Sequence, residues 1–324
     1  SVWTINPGNK IIFDSTSISI TGFAISNNNQ QIKVEGTASQ DSASGINVLL
    51  SNIQLANLNP ITRKYKFDFK GILNGNTTIS NIYSDPVFSG NIDIVDLELN
   101  GNKLGNVAIV SNWDNNSKTI EVIADVTKGQ LKTIEVRGDY NLSEKENPMD
   151  FDINLQKLRM NLFEPFVKSI FSNIRGVATG NLKLNGRLSK PLLTGKLKLQ
   201  KTGFMIDYIN TRYSFVHDIY FHESRIAFNN LILNDSKGNR AVVNGSIYHD
   251  HFKNIIFDIK VDAENLYCLN TSIEQNDLYY GEIYATGQIG IKGGISQQKS
   301  ETLPVRQAGN QIKSVYYFMQ SQAL

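Results

Sequence analysis

The sequence predicts an all-β fold, and three observations carry the prediction. Hydropathy alternates with a period of two along most of the chain. Clusters of Asn, Asp, Ser and Gly interrupt the alternation at short intervals, and glycine-marked segments recur about 105 residues apart. Successive strand side chains point to opposite faces, so alternation of this kind gives each strand one apolar and one wet face.

The alternation is clearest in Asn181-Leu182-Lys183-Leu184-Asn185, Lys196-Leu197-Lys198-Leu199 and Ile92-Asp93-Ile94. It returns in Phe257-Asp258-Ile259-Lys260-Val261 and Gln288-Ile289-Gly290-Ile291-Lys292. Between such runs lie turn clusters such as Asn27-Asn28-Asn29, Asp114-Asn115-Asn116 and Asp235-Ser236-Lys237-Gly238-Asn239. Short strands separated by these residues indicate an all-β architecture. Two segments break the period. Residues 162–174 place Phe163, Phe166, Val167, Ile170, Phe171 and Ile174 near helical spacing, with Pro165 suited to a first turn. A weaker helical pattern covers 269–279. Both predict short amphipathic helices laid against the sheet, the first with Phe163, Phe166, Ile170 and Phe171 as candidate lid residues.

The long-range signal is more specific. Gly75-Asn76 is followed by Pro86 and Gly90, and Gly180-Asn181 by Pro191 and Gly195, with identical internal spacing. These six positions are read as structural turn residues. A third start appears at Ala285-Thr286-Gly287. A second glycine series, Gly36, Gly138 and Gly245, closes three alternating strands. The expected organisation is a continuous β-repeat region over 1–293, made of a partial unit 1–70, units 71–175 and 176–282, and the start of another at 283–293. Residues 294–324 are polar, lack the alternation and stay unassigned. Each unit buries an edge by stacking on the last, the logic of a repeat protein.

Composition narrows the function classes. Thirty-two Lys and Arg balance 30 Asp and Glu along the whole length, so no basic block points to nucleic acid. One cysteine, Cys268, excludes an internal disulfide framework and a thiolate metal cluster. No apolar run is long enough for a membrane-spanning helix. The start at Ser1-Val2-Trp3 is read as that of a fragment or a processed segment, which leaves room for a targeting signal or anchor upstream. No nucleophile elbow, phosphate loop, dinucleotide fingerprint or zinc helix occurs, and a non-enzymatic role without a cofactor is expected. His249-Asp250-His251 could present two imidazoles to a metal, but a solvated loop is the preferred reading. His217 and His222 are read as strand-face positions.

The stretch GNLKLNGRLSKPLLTGKLKLQKTGF at 180–204 resembles the recurring unit of TamB-type translocation and assembly proteins. GNTTISNIYSDPVFSGNIDIVDLEL at 75–99 and YYGEIYATGQIGIKG at 279–293 follow the same pattern. The resemblance covers about residues 10–293. It implies an elongated β-sheet curled into a U-shaped, taco-like trough with an apolar interior, related to AsmA-like and bridge-like lipid transfer proteins. It further implies a bacterial envelope protein crossing the periplasm, anchored to the inner membrane outside these residues. An Omp85-type barrel partner and phospholipid movement toward the outer membrane are implied as well. On that reading Ile92, Ile94, Leu182, Leu184, Leu197, Leu199, Phe257, Ile259, Ile289 and Ile291 are the candidate groove lining. The same residues could instead fill a closed core, and a β-helical adhesin or autotransporter passenger is the alternative.

Overall fold

The computed structural model describes residues 2–40, 44–83, 86–168, 170–276 and 278–294. The fold is all-β as predicted. Of the described residues, strands make up 73% and helical turns 8%, in an open antiparallel sheet of 18 strands. Most of the polar segment 294–324 lies outside the described residues. The chain divides into two compact units, 1–156 with 184–189, and 157–183 with 190–324.

The first unit is a meander. A split edge strand, β1 (Thr4–Ile5) and β2 (Lys10–Phe13), pairs with β3 (Ser17–Asn27). Then follow β4 (Gln30–Ser39), β5 (Gly45–Gln54), β6 (Phe69–Ser80), β7 (Val87–Leu99), β8 (Asn102–Asp114), β9 (Thr119–Lys128), β10 (Leu131–Asn141) and β11 (Met149–Arg159). Each runs antiparallel to its predecessor. A β-helix stacks its coils in parallel, so this pairing rules out the β-helical alternative.

Facing residues of an antiparallel pair share a side of the sheet. The register therefore aligns Ile25, Ile32, Leu50, Gly75, Ile92, Ile109, Ala124, Val136 and Ile153 in one transverse row. A neighbouring row on the same face holds Ile53, Leu73, Ile94, Val107, Val126, Ile134 and Leu155. The opposite face carries Asn74, Asp93, Ala108, Asp125, Glu135 and Asn154 in one row. There Asp125 pairs with Lys132 at 2.8 Å and Arg137 at 2.6 Å. Burial tends to raise the Asp125 pKa, but the two cations and their hydrogen bonds outweigh it and hold the carboxyl below its usual range.

The second unit comprises β12 (Phe171–Arg187, up to residue 183), β13 (Lys190–Ile206), β14 (Thr211–His222), β15 (Arg225–Asp235), β16 (Arg240–Asp250), β17 (Lys253–Thr271) and β18 (Gly281–Gly294). This sheet curls back on itself. Residues 265–271 of β17 extend past the β15–β16 turn, and Tyr213 Oη of β14 donates to the Tyr267 carbonyl at 2.8 Å. Near them Asn210 Nδ2 donates to the Asn270 carbonyl at 2.6 Å. At the other end, in the β16–β17 turn, His251 Nδ1 donates to the Pro191 carbonyl of β13 at 3.2 Å.

The helical expectations need correction. Residues 160–163 form a 3₁₀ turn and α1 (Glu164–Val167) a single helical turn, with Pro165 at its start as predicted. Phe171 opens β12 instead of continuing the helix, and Ile174 lies within that strand. The reason is packing: Phe171 meets Phe204 edge-on with ring centres 5.2 Å apart, and Phe204 lies against Tyr213 and Phe215. The 269–279 segment is not helical either, since Leu269 to Thr271 complete β17 and a turn follows.

The signature glycines are also not turn residues. Gly75 and Gly90 lie inside β6 and β7, opposite Ile92 and Thr77, while Gly180 and Gly195 lie inside β12 and β13. A Cβ on Gly90 would overlap the Asn76 carbonyl, and one on Gly180 the Lys196 carbonyl. Their φ angles of +154° and +152° add a conformational reason for glycine. Pro86 precedes β7 and Pro191 is the second residue of β13. The β12–β13 reversal itself falls at Leu188 and Ser189.

Candidate functional site

The candidate site is the apolar face of the first unit. Alternation puts Ile and Val on one side of each strand, and the antiparallel register joins those sides into rows. Every side chain of the Ile25-to-Ile153 row is half-buried, and none is fully buried. In the neighbouring row, Val107 and Leu155 alone are buried. Phe88 on β7, on the same face as Ile92, is exposed. An apolar strand face that packs on a second layer is normally buried. Here, among the described residues, no such layer reaches it.

Strand conformation in both units depends on a device that sequence reading missed. Asn52, Lys157 and Asn265 each take the left-handed conformation, with φ of 53°, 51° and 51°. Asn52 and Asn265 each sit at a slip in strand pairing where one residue is inserted. The amide of Asn52 donates to Asn74 Oδ1 at 2.8 Å, that of Lys157 to Thr179 Oγ1 at 3.1 Å, and that of Asn265 to Thr286 Oγ1 at 3.0 Å. Asn74, Thr179 and Thr286 each immediately precede a signature glycine. The side chains replace a lost ladder bond, and a bulge of this kind bends and twists its strand. Asx or Thr followed by Gly at the repeat spacing was the available signal.

The predicted lining divides between the units. Ile92 and Ile94 lie in the half-open rows of the first unit, and Leu184, assigned to the same unit, is half-buried. Leu182, Leu197 and Leu199 are buried in the second unit, where Leu197 faces Ile219. Phe257, Ile259, Ile289 and Ile291 are half-buried on β17 and β18, with Ile259 opposite Ile291. Among the lid candidates, Ile170 is buried and Phe171 belongs to the aromatic cluster, so neither forms a movable cover. Phe163 and Phe166 remain exposed on the helical turn.

The histidines are placed differently from expectation. His249 is only 6% exposed, and its ring stacks on Phe252 with centres 4.5 Å apart. The Phe252 amide donates to His249 Nδ1 at 3.3 Å, which leaves the proton on Nε2. Burial, and then the neighbouring His251, lower the His249 pKa. It is a packed hairpin residue, not part of a solvated loop. His217 faces Leu199 across β13–β14, as a strand-face residue would. Among the described residues no three His, Cys, Asp or Glu side chains converge as metal ligands, and no helix is long and apolar enough to cross a membrane.

Comparison with known proteins gives one match. The family model for the TamB C-terminal domain matches residues 21–213, more than half of the chain. No curated protein and no solved structure matches it.

Proposed function

The chain belongs to the TamB C-terminal domain family of bacterial envelope translocation and assembly modules, and from that premise we propose that its open apolar face carries phospholipid acyl chains. The observation that carries the reading is the pair of apolar rows across β3–β11, whose side chains are half-exposed over the whole width of the first unit. Transfer of acyl chains onto such a face is favourable by about 0.8 kcal/mol per CH₂ removed from water. Isoleucine and valine offer non-directional contact at every strand, so a chain can slide without a strongly held stop. Headgroups stay at the water-exposed margin of the sheet.

In this reading repeats of about 105 residues set the apolar rows in line to form a trough, with the inner-membrane anchor outside these residues. Lipid moves along the trough toward the outer membrane. The family's association with an Omp85-type barrel gives the same scaffold its part in outer-membrane protein assembly. The chemistry is transfer and not catalysis.

The test is to purify the folded chain, extract it for lipid mass spectrometry, and place a photocrosslinking amino acid at Ile109 or Ala108, adjacent residues on opposite faces. Phospholipid should co-purify and crosslink from position 109 well above position 108. Folded protein that carries no lipid and gives equal or no adducts would overturn the reading.

A further inference from the structure

A second surface of the first unit has its own chemistry. Between β5 and β6 the chain makes a helical corner over 55–65, a 3₁₀ turn (Leu55–Leu58), a helical turn (Asn59–Thr62) and a second 3₁₀ turn (Arg63–Tyr65). The corner is fastened from below. Leu55 is buried, and buried Asn59 donates from Nδ2 to Asp68 Oδ1 at 2.6 Å and to the Phe69 carbonyl at 3.0 Å. The Phe69 amide returns a bond to Asn59 Oδ1 at 2.8 Å.

From this fastened base Leu58, Ile61 and Tyr65 project outward. They are 45%, 62% and 61% exposed, and their spacing of three and four residues puts them on one helical side. Cations flank them. Lys64 Nζ lies 4.8 Å from the centre of the Tyr65 ring, and Lys64 and Lys66 form no ion pair among the described residues. The third cation, Arg63, is paired with Asp68 at 2.9 Å. Exposed apolar side chains set beside unpaired cations suit an interface where acyl chains meet negative headgroups.

We infer that the 55–65 corner is a peripheral docking site for the surface of a bilayer containing anionic phospholipid. Ile61, Leu58 and Tyr65 enter the headgroup boundary, and Lys64 and Lys66 lie against the phosphates. The corner at 160–167 provides an internal contrast. Phe163 and Phe166 occupy the places of Leu58 and Ile61, but the position matching Tyr65 is Ile170, which is buried. Ser169 and Phe171 stand 105 residues on from Lys64 and Lys66, so the second corner keeps one cation, Lys168, at the place of Arg63. The docking chemistry is thus particular to the first corner, and it does not depend on lipid occupying the sheet face.

The experiment is vesicle flotation of the full 324-residue chain with phosphatidylcholine alone or mixed with phosphatidylglycerol. Binding should favour the mixed vesicles and weaken with salt. Lys64→Glu with Lys66→Glu should reduce it about tenfold or more, since each charge near an anionic surface contributes about 1 kcal/mol. Ile61→Ser with Tyr65→Ser should reduce binding at every salt concentration. All four side chains are exposed, so an unchanged thermal midpoint is expected in both variants. In a Cys268→Ser background, a polarity-sensitive dye on Ile61→Cys should shift to the blue with mixed vesicles, and one on Phe163→Cys should not. Equal binding to neutral and anionic vesicles, parental flotation of both corner variants, or a dye response at position 163 alone would overturn the inference. The corner variants and the dye at position 61 report on the corner and not on lipid held by the sheet face, so the two proposals fail separately.

Discussion

The two units use the same kind of strand, yet one leaves its apolar face half-open and the other buries much of its own across β13–β17. In the first unit the inner rows are chiefly isoleucine and valine, which stand on the sheet without reaching across it. In the second unit Leu231, Val243 and Val261 lie in one row and are all buried, as are Ala241 and Ala263 in the next. The difference comes from contacts between strands that are not neighbours. Tyr213 reaches Tyr267 from β14 to β17, and Asp235 Oδ2 accepts the Tyr267 amide at 2.8 Å. Asp235 itself is lowered in pKa. Burial pushes the carboxyl up, but bonds from Asn239, Lys237 and Tyr267 outweigh it. Alternation supplies an apolar face in either case, and long-range closure decides whether that face becomes core.

The strongest test of this contrast compares truncations. Leu266→Ala, in the closed unit, should destabilise by about 2–5 kcal/mol, the range for cavity-forming core changes. Ile109→Ala, in the open row, should cost about 1 kcal/mol, because its side chain is already partly in water. Chemical denaturation measures both, and equal losses would erase the distinction. A smaller effect is expected from Tyr213→Phe, which removes the bond across the curl. Its cost should be about 1–2 kcal/mol, with faster amide exchange in 265–271 and no change in the first unit.

Smaller again is the loss of a bulge partner. Asn74→Ala and Thr179→Val should each cost about 1 kcal/mol, one in each unit, and so show that this device is shared while closure is not. Acidification should give the least effect. The folded-state pKa of His249 is depressed, so its contribution is intact above the ordinary imidazole value of 6.5 and is lost as pH falls through the folded value. Amide protection in the β16–β17 hairpin, relative to the intrinsic exchange rate at each pH, should therefore fall as the pH drops below 6.5, and His249→Phe should flatten that dependence. A matching acid response confined to the first unit would contradict the assignment.

Much of the architecture was legible. Lys196-Leu197-Lys198-Leu199 and Ile92-Asp93-Ile94 are strands with the faces their alternation predicts. Pro165 starts a helical turn where its fixed φ suggested one. The 162–174 helix failed because Phe171 and Ile174 satisfy a helical period and a strand equally well over so short a run. Packing on Phe204 favours the strand. The glycines were correctly marked as special but assigned the wrong duty, since an intolerance of Cβ inside a strand looks like a turn in one dimension. His249 read as solvated because nothing local announces the Phe252 ring or the Pro191 anchor beside it.

By itself the sequence determined the strand content, the two faces and the recurrence of Gly-marked hairpins, because all three are local or periodic properties of the chain. Only the tertiary structure decided which apolar face stays open and which closes. That outcome rests on contacts such as Tyr213 with Tyr267, 54 residues apart, whose formation depends on how bulged strands bend across the sheet. The same holds for the corner at 55–65. Leu58, Ile61 and Tyr65 look like core residues by type, and they stand in water because Leu55 and Asn59 take the buried positions beneath them.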